Sequence, residues 1–122
     1  MPHKHYPLTK EGIREALDTK QPGVYRIFYA SFRNMSYIGS GSVCLRRRLM
    51  DHRNKLSKGI HKNRHLHGLY KKWSHECRFE IVQLTETGDE AKMLEQLILD
   101  FTPKKELFNQ DNQVFGIKRK KR

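Results

Sequence analysis

Two tyrosines next to glycines are the first residues whose types and spacing could support catalysis. Gly23-Val24-Tyr25 is followed, after eleven residues, by Tyr37-Ile38-Gly39. A phenol titrates near about 10 in isolation, so it can act as a base at neutral pH only where neighbouring cations favour the phenolate. Taken one at a time, each tyrosine is better explained as an ordinary strand aromatic.

Glu95 is an acidic residue whose predicted position requires a cation nearby. It follows Ala91 by one helical turn and lies near Ile98 in the sequence, so it falls at the margin of a predicted buried face. A carboxylate there is costly unless a cation pairs with it. That cation could belong to a Lys or Arg in a partial salt bridge. It could also be a metal, since Mg²⁺ usually takes one or two carboxylates and keeps several waters.

The charge of the chain is high and unevenly placed. The 122 residues carry a formal net charge of +12. Residues 44–73 hold ten Lys/Arg against a single Asp, residues 74–117 hold nine acids against four bases, and the last five residues are all basic. Two basic blocks around an acidic one predict attraction to a polyanion, most commonly nucleic acid. The chain has no long apolar run, which argues against a membrane partner.

Hydrophobic periodicity predicts one α/β domain in the order αββααβα, with a three-stranded, mainly antiparallel sheet flanked by helices. The predicted elements are a helix capped by Thr9, strands over 23–29 and 36–39, a helix over 43–56, a helix carrying Leu66, Leu69, Tyr70 and Trp73, a strand over 77–84 and a helix that opens at Gly88. The last helix is expected to turn five side chains inward: Ala91, Leu94, Leu97, Ile98 and Phe101. We expect one domain over residues 1–117 and a basic tail over 118–122.

Five landmarks in the right order resemble those of the GIY-YIG nuclease family. The two tyrosine motifs are followed by Arg48-Leu49, Leu94-Glu95 and Phe108-Asn109. The resemblance covers about residues 22–110, with segments similar to those of phage and intron homing endonucleases and of bacterial UvrC. Val24 stands where the signature has isoleucine, a difference of one methylene. The resemblance implies the small GIY-YIG α/β fold and a DNA endonuclease.

The same resemblance implies a role for each landmark. Tyr25 would act on the attacking water as general base, with Tyr37 assisting. Arg48 would bind the phosphate oxygens and stabilise the five-coordinate transition state. Glu95 would hold Mg²⁺, or Mn²⁺ in its place, near the leaving 3′ oxygen. Asn109 would fix the local backbone or a phosphate, and the products would carry 5′-phosphate and 3′-hydroxyl ends.

The arginine triplet Arg46-Arg47-Arg48 leaves the catalytic arginine to be chosen by helix phase. At about 100° per residue, Arg48 lies one turn before His52, on the flank of the apolar stripe formed by Leu45, Leu49 and Leu56. Arg47 points away from that stripe, toward solvent or DNA. We therefore predict Arg48 as the catalytic arginine.

Histidines leave two interpretations open. His52 could share the base role or hold a phosphate, and it could equally be a half-buried helical histidine. A zinc site would draw on His61, His65, His67, His75 and Cys77, but the paired spacing of a structural zinc site is incomplete.

Seven further basic residues are predicted to contact DNA: Arg46, Arg47, Arg53, Lys62, Arg64, Lys71 and Lys72. Homing-type relatives usually add a separate DNA-binding domain, so this chain is expected to cut with little sequence preference, to form a homodimer, or to take specificity from a partner protein. The main alternative is a catalytically inactive nucleic-acid-binding module on the same scaffold. The two cysteines and the apparent lack of a secretory signal favour the cytoplasm of a bacterial or phage-infected cell.

Overall fold

The computed structural model describes residues 4–17 and 20–109. Three-residue 3₁₀ turns over 30–32, 74–76 and 104–106 accompany eight helices and strands in the described residues. In chain order these elements are β1 His5–Pro7, α1 Lys10–Ala16, β2 Gly23–Tyr29, β3 Ser36–Gly41, α2 Leu45–Lys58, α3 Arg64–Trp73, β4 Cys77–Leu84 and α4 Gly88–Phe101. The predicted basic tail over 118–122 lies outside the described residues. No helix in the described ranges is both long enough and apolar enough to cross a membrane.

The sheet has four strands in the order β1-β4-β2-β3, and every pair is antiparallel. The prediction of three strands was therefore wrong by one: β1 adds an edge strand beside β4. This strand is only three residues long and ends in Pro7, too short for an alternating pattern to be visible in the sequence. The rest of the predicted order is confirmed.

Alternation along β2 gives the two faces of the sheet separate cores. Tyr25, Ile27 and Tyr29 pack among buried residues of α1, α2 and α3. Val24 points the other way, into a smaller cluster with Ile38 of β3 and residues of α4. The isoleucine signature position is thus filled by a fully buried valine.

Helix ends follow local capping chemistry. Thr9 accepts from the Gly12 N–H at the start of α1, as predicted. Thr87 and Glu90 form a reciprocal capping box that starts α4. Helix α2 begins at Leu45, two residues later than predicted, and it ends where Gly59 adopts a left-handed φ of 73°.

The side chains that helix α4 buries are not all those predicted to face inward. Ala91 is buried and Leu94 and Ile98 are half-buried, but Leu97 is 52% exposed and Phe101 81% exposed. The expectation that these two side chains face inward was wrong. The helix turns Leu99 to the sheet instead, because only a narrow stripe of the helix meets Val24 and Ile38.

Candidate active site

A cleft of about 300 Å³ opens beside the edge strand β3. Its walls come from helices α2 and α4, from the loop between α2 and α3, and from the segment after α4. The residues around it are Tyr37, Arg48, Asp51, His52, Lys55, His61, Lys62, Asn63, Glu95 and Asn109. Five of the six predicted catalytic residues line this cleft, and the sixth, Tyr25, lies directly behind them.

The two signature tyrosines are neighbours because their strands pair. Tyr25 lies opposite Gly39, and Tyr37 lies opposite Ile27, so both rings leave the same face of the sheet. Their ring centroids are 6.4 Å apart. A Cβ on Gly39 would overlap the phenol oxygen of Tyr25, which explains why this position must be glycine. Tyr25 is fully buried, whereas Tyr37 is half-buried and reaches the cleft.

Burial controls the protonation of both phenols. It raises the pKa of Tyr25 well above its usual range, and the neighbouring Tyr37 raises it further. Burial also raises the pKa of Tyr37. Arg48 lowers both pKa values, as the sequence argument required, but its effect is smaller than that of burial. Both tyrosines are therefore phenols at neutral pH before substrate binds.

His52 is buried in α2 and belongs to a directed chain of hydrogen bonds. The backbone N–H of Asn63 donates to Nδ1 of His61 over 3.0 Å. With Nδ1 as acceptor, Nε2 of neutral His61 carries the proton and donates to Nδ1 of His52 over 2.7 Å. Nε2 of His52 then carries its proton and donates to the hydroxyl oxygen of Tyr25. The chain thus ends on the oxygen that the sequence predicts to be a base.

Both imidazoles in this chain are held neutral. Burial lowers the pKa of His52 well below its ordinary value, and Arg48 and His61 lower it further. Burial, followed by Lys55 and Arg48, lowers the pKa of His61 to about 4. Neutral rings keep the direction of donation fixed across the physiological pH range.

Arg48 and Arg47 occupy different environments on α2. The Arg48 side chain is half-buried, lines the cleft and donates to Asp51 over 3.2 Å. Arg47 is exposed. The helix phase that separated the two arginines in the sequence therefore holds in the structure. Arg48 is the guanidinium that can meet a phosphate in the cleft.

Glu95 faces the cleft from α4 and accepts a hydrogen bond from the Ser40 hydroxyl. No Lys or Arg nitrogen among the described residues comes within ion-pair distance of its carboxylate. Burial raises the pKa of Glu95, opposed by Ser40 and by Arg48. A single, half-buried carboxylate without a paired cation fits a hydrated Mg²⁺ or Mn²⁺. In the described part of the chain no three His, Cys, Asp or Glu side chains gather into a metal cluster.

Asn109 is positioned by a segment that runs along the outer edge of β3. Leu107 forms a parallel bridge with Ser36, and the Phe108 N–H donates to the Ser36 carbonyl over 2.7 Å. The Asn109 side chain then accepts from the Ile38 N–H over 3.0 Å and donates to the Ile38 carbonyl over 2.8 Å. Of its two predicted roles, this geometry is that of fixing the local backbone.

A family model described as the GIY-YIG catalytic domain matches residues 21–109. The chain belongs to the GIY-YIG catalytic domain family. Among solved structures, the catalytic domain of the intron endonuclease I-TevI, a glutamate-to-alanine mutant, is similar with a TM-score of 0.64. The two are 22% identical over 79% of this chain and 99% of that one, so this likeness speaks to the fold alone. No curated protein sequence matches the chain.

The seven predicted DNA contacts spread over the α2 and α3 side of this GIY-YIG domain. Lys62 lines the cleft itself, and Arg47 lines a neighbouring pocket that also borders Arg48. Lys71 and Lys72 are exposed in the last turn of α3, and Arg64 is exposed in its first. Arg46 and Arg53 are half-buried, and Arg53 donates to Asn54.

Two residues of the GIY-YIG cleft were missed as functional candidates. His61 entered the sequence argument only as a zinc ligand, although it orients His52. Asn63 caps α3 by accepting from the Leu66 N–H, and its amide also donates to the Phe108 carbonyl over 2.8 Å. An asparagine before a helical pattern signals an N-cap. Its second bond, to a residue 45 positions away, leaves no local sequence signal.

Proposed function

We propose that this protein is a divalent-metal-dependent endonuclease that hydrolyses DNA phosphodiester bonds to 5′-phosphate and 3′-hydroxyl ends. The observation that carries the proposal is one cleft lined by a phenol, a guanidinium and an uncompensated carboxylate, from Tyr37, Arg48 and Glu95. Phosphodiester hydrolysis needs a group to take the proton of the attacking water, positive charge at the phosphate and help for the leaving oxygen. These three residue types can serve those needs.

The base function belongs to the tyrosine pair. Tyr37 contacts the cleft, and Tyr25 lies behind it with its oxygen held by His52. Hydrogen bonds donated to a phenol oxygen favour phenolate, as does the charge of Arg48. One phenol first releases its own proton to solvent, and its oxygen, then a phenolate, takes the proton of the attacking water that substrate brings into the cleft. His52 and His61 fix the position of the Tyr25 oxygen.

Arg48 supplies the charge that meets the phosphate. Among the described residues its ion-pair partner is Asp51, which is itself half-exposed and shared with Lys55 at 3.1 Å. Such an exposed pair is weak, so a phosphate can replace Asp51 as the partner of the guanidinium. Arg48 can then form two parallel hydrogen bonds to the phosphate oxygens.

Glu95 is the residue that would hold the metal ion. A bound Mg²⁺ or Mn²⁺ would supply Lewis acidity and an acidic water near the leaving oxygen. Ser40 orients the carboxylate by donating to one of its oxygens. DNA sequence preference would come from a second copy of the chain or from a partner protein.

Incubation with linear, supercoiled, branched and single-stranded DNA tests the proposal. We expect cleavage with Mg²⁺ or Mn²⁺, none with EDTA, and products that DNA ligase can rejoin. Glu95→Gln, which keeps the Ser40 hydrogen bond, should lower the single-turnover rate by at least about a hundredfold. Undiminished cleavage in EDTA would rule out the metal. DNA binding without cleavage of any of these DNAs would favour the inactive binding module.

A further inference from the structure

A cluster of cations lies on the sheet face opposite the two catalytic tyrosines. The strand register places His5, Glu80 and Arg26 in one row across β1, β4 and β2. Arg78 and Phe28 form the next row on the same face. The apolar residues that pack with α4 are at Val24 and Ile38, so this end of the face lies beyond the helix.

The cations of this cluster converge on Phe28. The guanidinium carbon of Arg26 is 4.3 Å from the ring centroid, and that of Arg33 is 5.8 Å from it. The His5 ring meets the Phe28 ring edge-on at 5.6 Å. Glu80 forms a salt bridge with Arg26 over 2.9 Å. One acid therefore faces three arginines, and the cluster keeps an excess positive charge.

Two N–H donors at this site have no partner in the part of the chain that the structure describes. Arg33 donates to Nε2 of His5 over 3.2 Å, so the neutral His5 ring carries its proton on Nδ1. Among the described residues, neither this Nδ1 nor the Nε of Arg78 finds a hydrogen-bond acceptor, although both atoms are buried. Buried donors are normally paired, and an unpaired one is costly.

Packing of arginines on Phe28 accounts for Arg26 and Arg33 but leaves these two donors unexplained. An anion held by the exposed Arg33 guanidinium would neutralise the excess charge, and the half-buried Arg78 and His5 side chains can turn their donor atoms toward it. The cluster also lowers the pKa of His5, through burial and through the charges of Arg33 and Arg78. A bound anion would reverse the electrostatic part of that shift.

We propose that this cluster of His5, Arg26, Arg33 and Arg78 binds a backbone phosphate of a DNA segment other than the one in the cleft. A phosphodiester has two free oxygens, which can accept from the exposed guanidinium of Arg33 and from the donors of Arg78 and His5 once these side chains turn toward it. The cluster faces away from Tyr25 and Tyr37, so the duplex being cut does not reach it without strong bending. The protein then bridges two DNA segments. This inference rests on the proposed DNA substrate.

A bridging assay tests the proposal. One duplex is immobilised on beads, the full chain is added in EDTA, and capture of a second, labelled duplex is measured. Arg33→Gln combined with Arg78→Gln should lower capture by about tenfold at physiological salt, since two phosphate contacts are lost. The control is Lys10→Gln with Arg14→Gln, which removes the same charge from exposed positions of α1 and should capture like the unaltered protein. Arg33→Gln alone changes an exposed side chain and should lower capture in part.

Inorganic phosphate separates a DNA contact from a free-anion site. In chloride buffer of constant ionic strength, added phosphate should shift the His5 ring resonances to saturation, and the double variant should lose this response. Saturable phosphate binding with unchanged bridging would mean a small-anion site and would overturn the DNA assignment. Equal bridging by the double variant and the unaltered protein would also overturn it. Because no cleavage is needed, bridging by a protein that cuts no DNA would refute the proposed function and leave this inference standing.

Discussion

At the scale of single residues, Gly39 determines where the Tyr25 phenol lies. Gly39→Ala adds a Cβ that overlaps the Tyr25 oxygen, so the ring must shift away from His52. We expect the single-turnover rate to fall by at least about a hundredfold. The matched control is Gly68→Ala in α3, where an added Cβ meets nothing within 4 Å. That variant should keep its rate and gain about 0.5–1 kcal/mol of stability.

The arginine triplet gives a second prediction at this scale. Arg48→Ala should lower the single-turnover rate at saturating DNA by at least about a hundredfold and leave affinity nearly intact, because its phosphate contact strengthens in the transition state. Arg47→Ala should weaken binding modestly and spare that rate. The opposite result, a large rate loss for Arg47→Ala alone, would move the catalytic arginine by one position.

His61 gives a third prediction, which concerns stability and pH. Its pKa is about 4 in the folded chain and about 6.5 when unfolded, so between these values the unfolded chain binds more protons. The free energy of unfolding should therefore fall as pH drops from about 6.5 toward 4, and His61 should contribute no slope above that window. Urea titrations at several pH values measure this.

His61→Gln should make that pH slope shallower, and the remaining slope comes from other shifted groups, which include His52, His5 and Glu95. His75→Gln serves as the control, since its ring is 72% exposed and accepts no buried hydrogen bond. An identical slope in His61→Gln and the unaltered protein would contradict the assignment of His61 as a buried neutral ring.

At the scale of elements, Asn63 links the start of α3 to the segment that carries Asn109. Asn63→Ala removes the cap and leaves the Phe108 carbonyl without its donor, at a cost of about 1–2 kcal/mol or more. It should also lower the cleavage rate, because the segment loosens. Thr9→Ala removes a comparable cap from α1 and should reduce stability without changing the rate. Equal rates in the two variants would show that the cap alone matters.

Elements with long sequence patterns were predicted more accurately than elements with short ones. The strands 23–29 and 77–84 were predicted at their observed bounds because seven or eight residues show the pattern in full. Strand β1 was not predicted, because three residues are too few to show an alternating pattern. Leu97 and Phe101 were misplaced because periodicity identifies an apolar stripe without saying how wide a partner surface will cover it.

The candidate site also has a part that the sequence could predict and a part that it could not. Tyr37, Arg48 and Glu95 could be predicted because each belongs to a short motif or has a readable helix phase. The hydrogen bond from Asn63 to Phe108 and the chain of hydrogen bonds through His61 could not be predicted, because they depend on where loops meet after folding. Burial of Tyr25, which outweighs Arg48 in setting its pKa, is likewise a property of the assembled core.

At the scale of the whole molecule, basic charge on α2 and α3 should make the affinity for DNA depend on salt. Each phosphate contact adds about 0.9 to the slope of log affinity against log salt. Deleting residues 118–122 should flatten that slope and leave the single-turnover rate at saturating DNA nearly unchanged. Loss of turnover at saturating DNA would instead make the tail part of the catalytic machinery.

The outer edge of β3 would otherwise be an open template for self-association, since unpaired strand edges recruit strands from other chains. Asn109 occupies both the donor and the acceptor of Ile38 there, and Phe108 takes up the carbonyl of Ser36. Asn109, a residue of the cleft, therefore also protects the edge of β3 from pairing with another chain. Asn109→Ala should shorten the shelf life of concentrated protein, and light scattering over days would show aggregates that a variant of Arg48 does not form.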